Sequence, residues 1–225
     1  LYTKHKEMWR ELPFGVDIER FAPRPKTQDL IASLGLDPNL PIILFVGGMD
    51  AAHYFKGIPH LLSAAYLLHH AKVPAQYVLV GDGELREQFE SRVEALGISS
   101  FVHFAGHVSD DELHSYYNLA DFLVLPSLHR GVAFGMVLLV ALASGVPVIA
   151  SDLPGVRTVA KHAGFVVPPG RAPALAHTLQ EAISMGGDTY VELSMKARAI
   201  AEKVYAWEPI VERLDAMYKE FAKES

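Results

Sequence analysis

The sequence predicts an α/β fold, a doubly wound parallel sheet covered by helices on both faces. Short apolar runs alternate with longer amphipathic runs through residues 41–205. The short runs are continuously apolar, which is typical of strands that are buried on both faces. Glycine or proline follows several of them. Strand–helix alternation at this pace produces βαβ units with right-handed crossovers, which place the strands side by side in one parallel sheet.

The first two strand–helix units carry the clearest pattern. Ile42–Val46 is a β-branched, apolar run that ends at a glycine pair, and it predicts a buried strand. Gly57–His70 has apolar residues at helical spacing and predicts the helix that follows. Tyr77–Val80 predicts the second strand, and Leu85–Leu96 predicts the second helix, which carries its charges on one face.

The middle of the chain repeats this pattern. Phe101–Phe104 predicts a third strand. Ser109 is expected to cap the next helix, because Glu112 follows three residues later and completes a capping box. Asp121–Leu125 predicts a fourth strand, and Phe134–Ala143 predicts a strongly apolar helix.

The last part of the chain has two predicted strands, Val146–Ala150 and Phe165–Val167. Helices are predicted at Ala172–Ser184, Thr189–Val204 and Glu208–Lys223. Asp188 is expected to cap the second of these helices. We therefore divide the chain into an N-terminal, linker-like segment (1–40), a Rossmann-like domain (41–205) and a C-terminal helix that packs back onto it (206–225).

Composition excludes several classes of function. The chain has 225 residues, no cysteine and a formal net charge of −6. It therefore has no disulfide, no thiolate nucleophile and no zinc site that uses sulfur, and it fits a reducing compartment. The acidic balance argues against a nucleic-acid partner, because such domains carry a basic excess. No signal peptide is visible, so we expect a cytoplasmic protein.

One segment is unusually apolar for such a chain. The 20 residues from Gly131 to Ala150 carry no charge, which is about the length that crosses a bilayer. Ser144, Pro147 and three glycines interrupt the run, and Asp152 follows it closely. We therefore predict a loop, a helix and a buried strand here, and no membrane span.

Ligands of such sheets bind outside the carboxyl ends of the strands. The loop after the first strand contains Gly47 and Gly48, and Lys56 stands before the following helix. Backbone N–H groups, a helix N-terminus and a lysine together suit a phosphate or diphosphate. The alternative is a glycine turn beside a solvated lysine. The loop matches neither the dinucleotide fingerprint nor the Walker loop.

The remaining loops allow more than one interpretation. Gly83 lies in a turn after the second strand, and the free N–H groups around Phe134–Val137 could hold an anion. Ser127 with His129 or with His53 could form a nucleophile–base pair, which would indicate a rebuilt hydrolytic site.

Taken together and in order, these motifs resemble the C-terminal, nucleotide-sugar-binding half of a family 4 (group 1) glycosyltransferase with the GT-B fold. The resemblance covers nearly the whole chain. The motifs that carry it are PFGVD at 13–17, FVGGMD at 45–50, HYFKG at 53–57, LVGDGEL at 79–85, FAGHVSDDEL at 104–113, AFGMVLLVALASGVPVIASDLPGV at 133–156, GFVVPPG at 164–170 and WEPIVERLDAMY at 207–218.

The resemblance implies retaining sugar transfer from a UDP- or GDP-sugar, with no cofactor and no metal. It implies that the donor diphosphate is held by Gly47, Gly48, Lys56, Gly135, Met136 and Val137. It also implies that the base and sugar lie near Gly83, His107, Val108 and Phe134, with Gly106 in the same loop. The acceptor would be held by an N-terminal domain that this chain lacks.

The chain departs from the family pattern at the site itself. The family's Glu-x7-Glu motif has its two carboxylates at the positions of Val132 and Val140, and a basic residue often stands where this chain has Ala51. Valine cannot accept a hydrogen bond from ribose or balance charge on a sugar ring. We therefore hypothesise that the donor site is disabled or rebuilt, in a degenerate paralogue or an engineered chain, and that the isolated chain is inactive.

A non-enzymatic interpretation stays open beside this one. In it, the former donor cleft presents an apolar surface to a protein or small ligand. Its distinguishing feature would be an exposed apolar patch at Val132, Met136 and Val140.

Overall fold

A computed structural model describes residues 12–129 and 135–224 of the chain. Its centre is one six-stranded sheet in which every pairing is parallel. The strands are β1 Ile42–Val46, β2 Gln76–Val80, β3 Val102–Gly106, β4 Phe122–Leu125, β5 Val148–Ser151 and β6 Gly164–Val167. Their spatial order is β3-β2-β1-β4-β5-β6. The predicted doubly wound α/β fold is confirmed.

Helices connect the strands and cover the sheet. In the described ranges they are α1 Gln28–Ser33, α2 Ile58–His70, α3 Arg86–Ala95, α4 Asp110–Leu119, α5 Met136–Ala143, α6 Val156–Ala160, α7 Ala172–Ile183, α8 Gly187–Ile200 and α9 Trp207–Glu224. A 3-10 helix precedes α2 at Ala51–Lys56, and a π-helical turn follows α8 at Ala201–Tyr205.

The sheet is buried on both faces, which explains why its strands are continuous apolar runs in the sequence. Leu44 and Phe45 are neighbours in β1, and both are fully buried. Leu44 belongs to the core cluster that includes α5, whereas Phe45 belongs to the cluster that includes α2 and α7. Adjacent residues of a strand point to opposite faces, so each strand needs apolar residues throughout.

Strand order reverses between β1 and β4, since β1 pairs with both β2 and β4. The loops that follow these two strands therefore lead to opposite faces of the sheet. A crevice at this reversal, at the carboxyl ends of the strands, is where such folds bind ligands.

Short elements and caps account for the differences from the sequence predictions. The helices α1 and α6 were not predicted, because six and five residues are too few to show a helical period. Asp188 does not cap α8: the helix begins at Gly187 and its N-cap is Gly186. The capping box of Ser109 and Glu112 is present as predicted.

The apolar run contains α5 and all of β5 except its last residue. The buried residues of α5 are Leu138, Leu139, Ala141, Leu142 and Ala143, so most of the helix lies inside the core. None of the helices that the structure describes is long and apolar enough to cross a membrane.

The N-terminal segment is tied to the domain by Arg198 of α8. Its Nη1 donates to the carbonyl oxygens of Ile18, Phe21 and Ala143 at 3.0, 3.1 and 2.6 Å. Val16 forms a β-bridge with Ala206, the residue just before α9. The N–H of Val16 donates to the carbonyl of Tyr205. The division of the chain at residues 40 and 206 stays a prediction.

The helix α9 exposes a row of large apolar side chains. Among the residues of α9 whose side chains the structure describes, Ile210 is the buried one. Trp207, Val211, Leu214 and Tyr218 are exposed and follow one another at intervals of four, three and four residues. This spacing places them along one face of the helix.

Candidate donor-binding site

The glycine loop after β1 is built around two close approaches. A Cβ atom on Gly47 would stand 2.6 Å from the ammonium nitrogen of Lys56, and one on Gly48 would stand 2.9 Å from Nδ1 of His53. Both distances are too short for a real Cβ atom. Glycine at these two positions leaves room for the side chains of Lys56 and His53 to fold over the backbone of the loop.

Lys56 ends the 3-10 helix and is half-buried. Burial lowers the pKa of its ammonium group, and the negative charge of Asp50 offsets part of that effect. A half-buried ammonium group beside glycine backbone is a suitable partner for an anion, because an added negative charge would stabilise the charged form.

Asp50 and His53 form a pair within this loop. The carboxylate of Asp50 accepts a hydrogen bond from the backbone N–H of His53 at 3.0 Å and contacts His53 Nδ1 at 2.7 Å. These bonds to His53 lower the pKa of the Asp50 carboxyl. The first bond also caps the 3-10 helix, which holds Lys56 at the helix end.

The turn after β2 packs directly against the glycine loop. A Cβ atom on Gly83 would stand 2.5 Å from the carbonyl carbon of Met49, so the two backbones are in direct contact. The N–H of Leu85 donates to the carbonyl of Met49 at 2.9 Å. Glu84 accepts from the N–H of Ala51 at 3.0 Å. A carboxylate therefore lies beside Ala51, the exposed position at which the resemblance predicts a basic residue.

The loop after β3 lies at the same edge. His107 is exposed, and Val108 is half-buried against the core. Gly106 adopts a positive φ of 73°, and a Cβ atom there would stand 2.9 Å from Nη1 of Arg86. The Nε of that arginine donates to Glu90 at 2.7 Å.

The start of α5 lies across the strand-order reversal from β1. Gly135 is buried, has a φ of 69° and serves as the N-cap. The N–H groups of Met136 and Val137 have no acceptor inside the helix, as at any helix start. The side chain of Met136 is 43% exposed, and that of Val137 is half-buried.

Of the two positions at which the resemblance predicts carboxylates, one lies in the described part of the chain. Val132 and Phe134 lie outside the described residues. Val140 is on α5, half-buried, and packs against the core. Its apolar side chain offers no acceptor for a ribose hydroxyl.

The structure does not bring Ser127 into hydrogen-bond contact with His129 or His53, as the hydrolytic alternative would need. The hydroxyl of Ser127 is fully buried and has no hydrogen-bond partner in the described structure. His53 is bound to Asp50, and the ring of His129 lies 5.2 Å from that of Phe55. No nucleophile–base pair is formed by these residues.

Two features of the site were not predicted from the sequence. One is the pairing of Asp50 with His53, and the other is the contact of Glu84 with residue 51. Asp50 stands three residues before His53, whose N–H donates to its carboxylate, and this spacing is typical of an N-cap. The spacing could have predicted the pairing of Asp50 with His53. The second depends on a contact between separate loops. In the described ranges, no group of three His, Asp or Glu side chains is placed to hold a metal ion.

Comparison with known proteins decides the family. The family model of the group 1 glycosyl transferases matches residues 26–204, which is most of the chain. The chain belongs to the group 1 glycosyltransferases. An uncharacterized glycosyltransferase of Methanocaldococcus jannaschii is 32% identical over 192 residues, which cover 83% of this chain and 47% of that protein.

Solved structures of glycosyltransferases share the fold of this domain. Sucrose-phosphate synthase from Thermosynechococcus elongatus superposes with a TM-score of 0.78 at 29% identity, over 96% of this chain and 53% of that one. HepE of Anabaena, solved in complex with UDP-glucose, superposes with a TM-score of 0.75 at 23% identity, over 93% and 56%. This glycosyltransferase domain thus spans about half the length of each of these three relatives.

Proposed function

We propose that this chain is the nucleotide-sugar-binding half of a retaining glycosyltransferase, and that it binds a UDP- or GDP-sugar without transferring the sugar. The observation that carries the proposal is the packing of the Lys56 ammonium group on Gly47, at the carboxyl end of β1 and beside the reversal of strand order.

The diphosphate is the part of the donor that this geometry suits best. Lys56 supplies one positive charge that is already partly removed from water. The N–H groups of Met136 and Val137, at the positive end of the α5 dipole, supply donors from the other side of the crevice. Together, the ammonium charge and the helix end (about +0.5) offset most of the two negative charges of the diphosphate, and we propose that no metal ion takes part.

The nucleoside would lie next to the diphosphate. The turn with Gly83 and the loop with His107 and Val108 border the same edge of the sheet, because β2 and β3 are parallel to β1. HepE, which has this fold, was solved with UDP-glucose. That complex supports a nucleotide-sugar as the class of ligand.

The second part of the proposal is that the chain binds the donor weakly and does not transfer the sugar. Val140 has no acceptor for a ribose hydroxyl, and Glu84 brings a negative charge close to Ala51. Losing hydrogen bonds to a hydroxyl pair costs on the order of 1–3 kcal/mol, which is about a 5- to 150-fold loss of affinity. We therefore propose weak donor binding and no transfer by this sequence.

The second half of the enzyme is the proposed partner. The chain spans about half the length of its relatives. The exposed face of α9, formed by Trp207, Val211, Leu214 and Tyr218, is an apolar surface that a further domain of the polypeptide would cover.

A calorimetric titration tests the donor proposal. UDP, UDP-glucose, GDP and GDP-mannose are titrated into the chain as it stands and into its Val132→Glu/Val140→Glu variant. We expect the variant to bind one of the nucleotide-sugars at least 10-fold more tightly than the unchanged chain. Val191→Glu/Val211→Glu is the matched control, since it adds the same charge at two exposed valines elsewhere.

A second candidate function rests on Met136. It is exposed next to the half-buried Val140, so the crevice has an apolar border. If the Val132→Glu/Val140→Glu variant bound none of the four nucleotides, the donor proposal would fail. A surface for a protein or an apolar ligand would then be the better interpretation of this crevice.

A further inference from the structure

A pocket of about 250 Å³ lies at the opposite edge of the sheet from the glycine loop. It is enclosed by the last turns of α2, by the loop that leads into β2 and by the segment that leads into β3. The glycine loop follows the carboxyl end of β1, whose parallel neighbour β2 begins at the pocket. A strand of five residues separates the two regions by about 16 Å, so a ligand of the pocket would not touch the donor site.

The walls of the pocket are apolar and aromatic. Ala65, Ala75 and Ile98 are buried and form its interior. The rings of His69 and Phe101 stand beside it with centroids 4.7 Å apart and planes inclined by 43°. Aromatic pairs of this kind readily accept a further ring at their edge or face.

The charge around the pocket has one sign. Lys72 and His69 are exposed and line it, and no carboxylate side chain is among its lining residues. A ligand with an apolar body and a negative group would therefore find both its parts matched.

Lys72 occupies an unusual backbone position. Its φ is +58°, and it is the non-glycine residue with positive φ in the described ranges. It follows the end of α2, where its N–H donates to the carbonyl of His69 and the N–H of Val73 donates to that of Leu68, both at 3.0 Å. Glycine is the usual residue at this point of a helix end. Here the strained position carries a long cation at the edge of the pocket.

Tyr77 supplies an independent indication of a ligand. It lines the pocket and is 2% exposed, yet its hydroxyl has no hydrogen-bond partner in the described structure. Buried hydroxyls are normally paired. A polar atom of a ligand in the pocket could pair with it.

We propose that this pocket binds a small aromatic carboxylate, with its rings between Ala65 and Phe101 and its carboxylate on Lys72. Cavities of about 150 Å³ accept benzene, so the larger volume here suits two fused rings. Indole-3-carboxylate has these features, and its ring N–H can donate to the hydroxyl of Tyr77.

Titration with indole-3-carboxylate, and with neutral indole as the comparison ligand, tests the proposal. We expect saturable binding of the carboxylate, and binding of indole that is weaker by about tenfold. Lys72→Gly, which relieves the positive φ, is expected to weaken carboxylate binding about tenfold without lowering Tm. Lys196→Ala, at an exposed lysine of α8, should bind like the unchanged chain.

Two further variants locate the ligand. Tyr77→Phe removes only the hydroxyl and is expected to weaken binding, whereas Ala65→Phe fills the pocket and is expected to abolish it. Excess UDP should leave the affinity unchanged, because the donor site is elsewhere. The proposal is overturned if indole-3-carboxylate does not saturate, if Lys72→Gly binds it equally well, or if UDP displaces it.

Discussion

The ammonium nitrogen of Lys56 lies so close to Gly47 that a Cβ atom on residue 47 would stand 2.6 Å from it. The glycine thus determines where the cation lies, and the cation determines where a diphosphate could bind. This relationship between a loop glycine and a lysine nine residues later is the centre of the proposed donor site.

The first prediction follows directly from this contact. Gly47→Ala should displace the Lys56 side chain and weaken UDP or GDP binding about tenfold in the Val132→Glu/Val140→Glu variant. Gly47 does not have a positive φ, so the backbone itself accepts alanine. Titration calorimetry measures the effect. Gly186→Ala is the control, because nothing lies within 4 Å of that position. Equal affinities for the two variants would disprove the role of this contact.

The second prediction concerns the pair of Asp50 and His53. The bonds from His53 lower the pKa of the Asp50 carboxyl below its ordinary value of 3.8. A lowered folded-state pKa contributes stability that is complete above the ordinary pKa and is lost as the pH falls through the folded-state pKa. Asp50→Asn should therefore have a lower Tm than the unchanged chain at pH 7, and the two Tm values should converge below the folded-state pKa.

Thermal unfolding followed by circular dichroism from pH 7 down to pH 2.5 checks this convergence. In a His53→Ala background, Asp50→Asn should change Tm much less, because the imidazole is absent and the backbone N–H of residue 53 can still donate to the amide oxygen of asparagine. A Tm difference that persisted unchanged at the acidic end of the range would show that the Asp50 charge is not its source.

The third prediction concerns Arg198. Removing its side chain leaves the carbonyls of Ile18, Phe21 and Ala143 without this donor. Arg198→Ala should lower the free energy of unfolding by about 2–3 kcal/mol, since unpaired, partly buried acceptors are costly. Urea unfolding measures it. Arg157→Ala should cost less than about 1 kcal/mol, because its ion pair with Asp152 is exposed. Similar losses for both variants would contradict the assignment.

The fourth prediction concerns the exposed face of α9. Val211→Asp and Tyr218→Asp should leave the Tm of this chain nearly unchanged, because both side chains are more than half exposed. Leu139→Ala, at a fully buried position of α5, should cost about 2–5 kcal/mol. A large loss of Tm in either α9 variant would mean that this face already packs within the chain, and it would no longer be available for a further domain.

Local chemistry explains which features could be predicted from the sequence. The strand Ile42–Val46 has the bounds that its apolar run predicts, and the capping box of Ser109 is visible as a spacing of three residues. Both depend on neighbouring residues alone. The partners of Arg198 lie 55 to 180 residues away along the chain, so no local pattern shows them.

The site was predicted less completely than the fold for the same reason. The glycines and the lysine are recognisable as a pattern in one loop. The contact of Glu84 with Ala51 and that of Gly83 with Met49 join two loops, and they depend on how the strands lie side by side. The strand order itself follows from packing between elements that are distant in sequence.

A crystal structure of the Val132→Glu/Val140→Glu variant with UDP tests the central claim most directly. We expect an oxygen of the diphosphate within hydrogen-bond distance of Lys56 Nζ and another at the N–H groups of Met136 or Val137. The uracil should lie toward His107 and Val108. UDP bound elsewhere on the domain, or no bound UDP at a concentration that saturates the variant in solution, would contradict the proposed donor site.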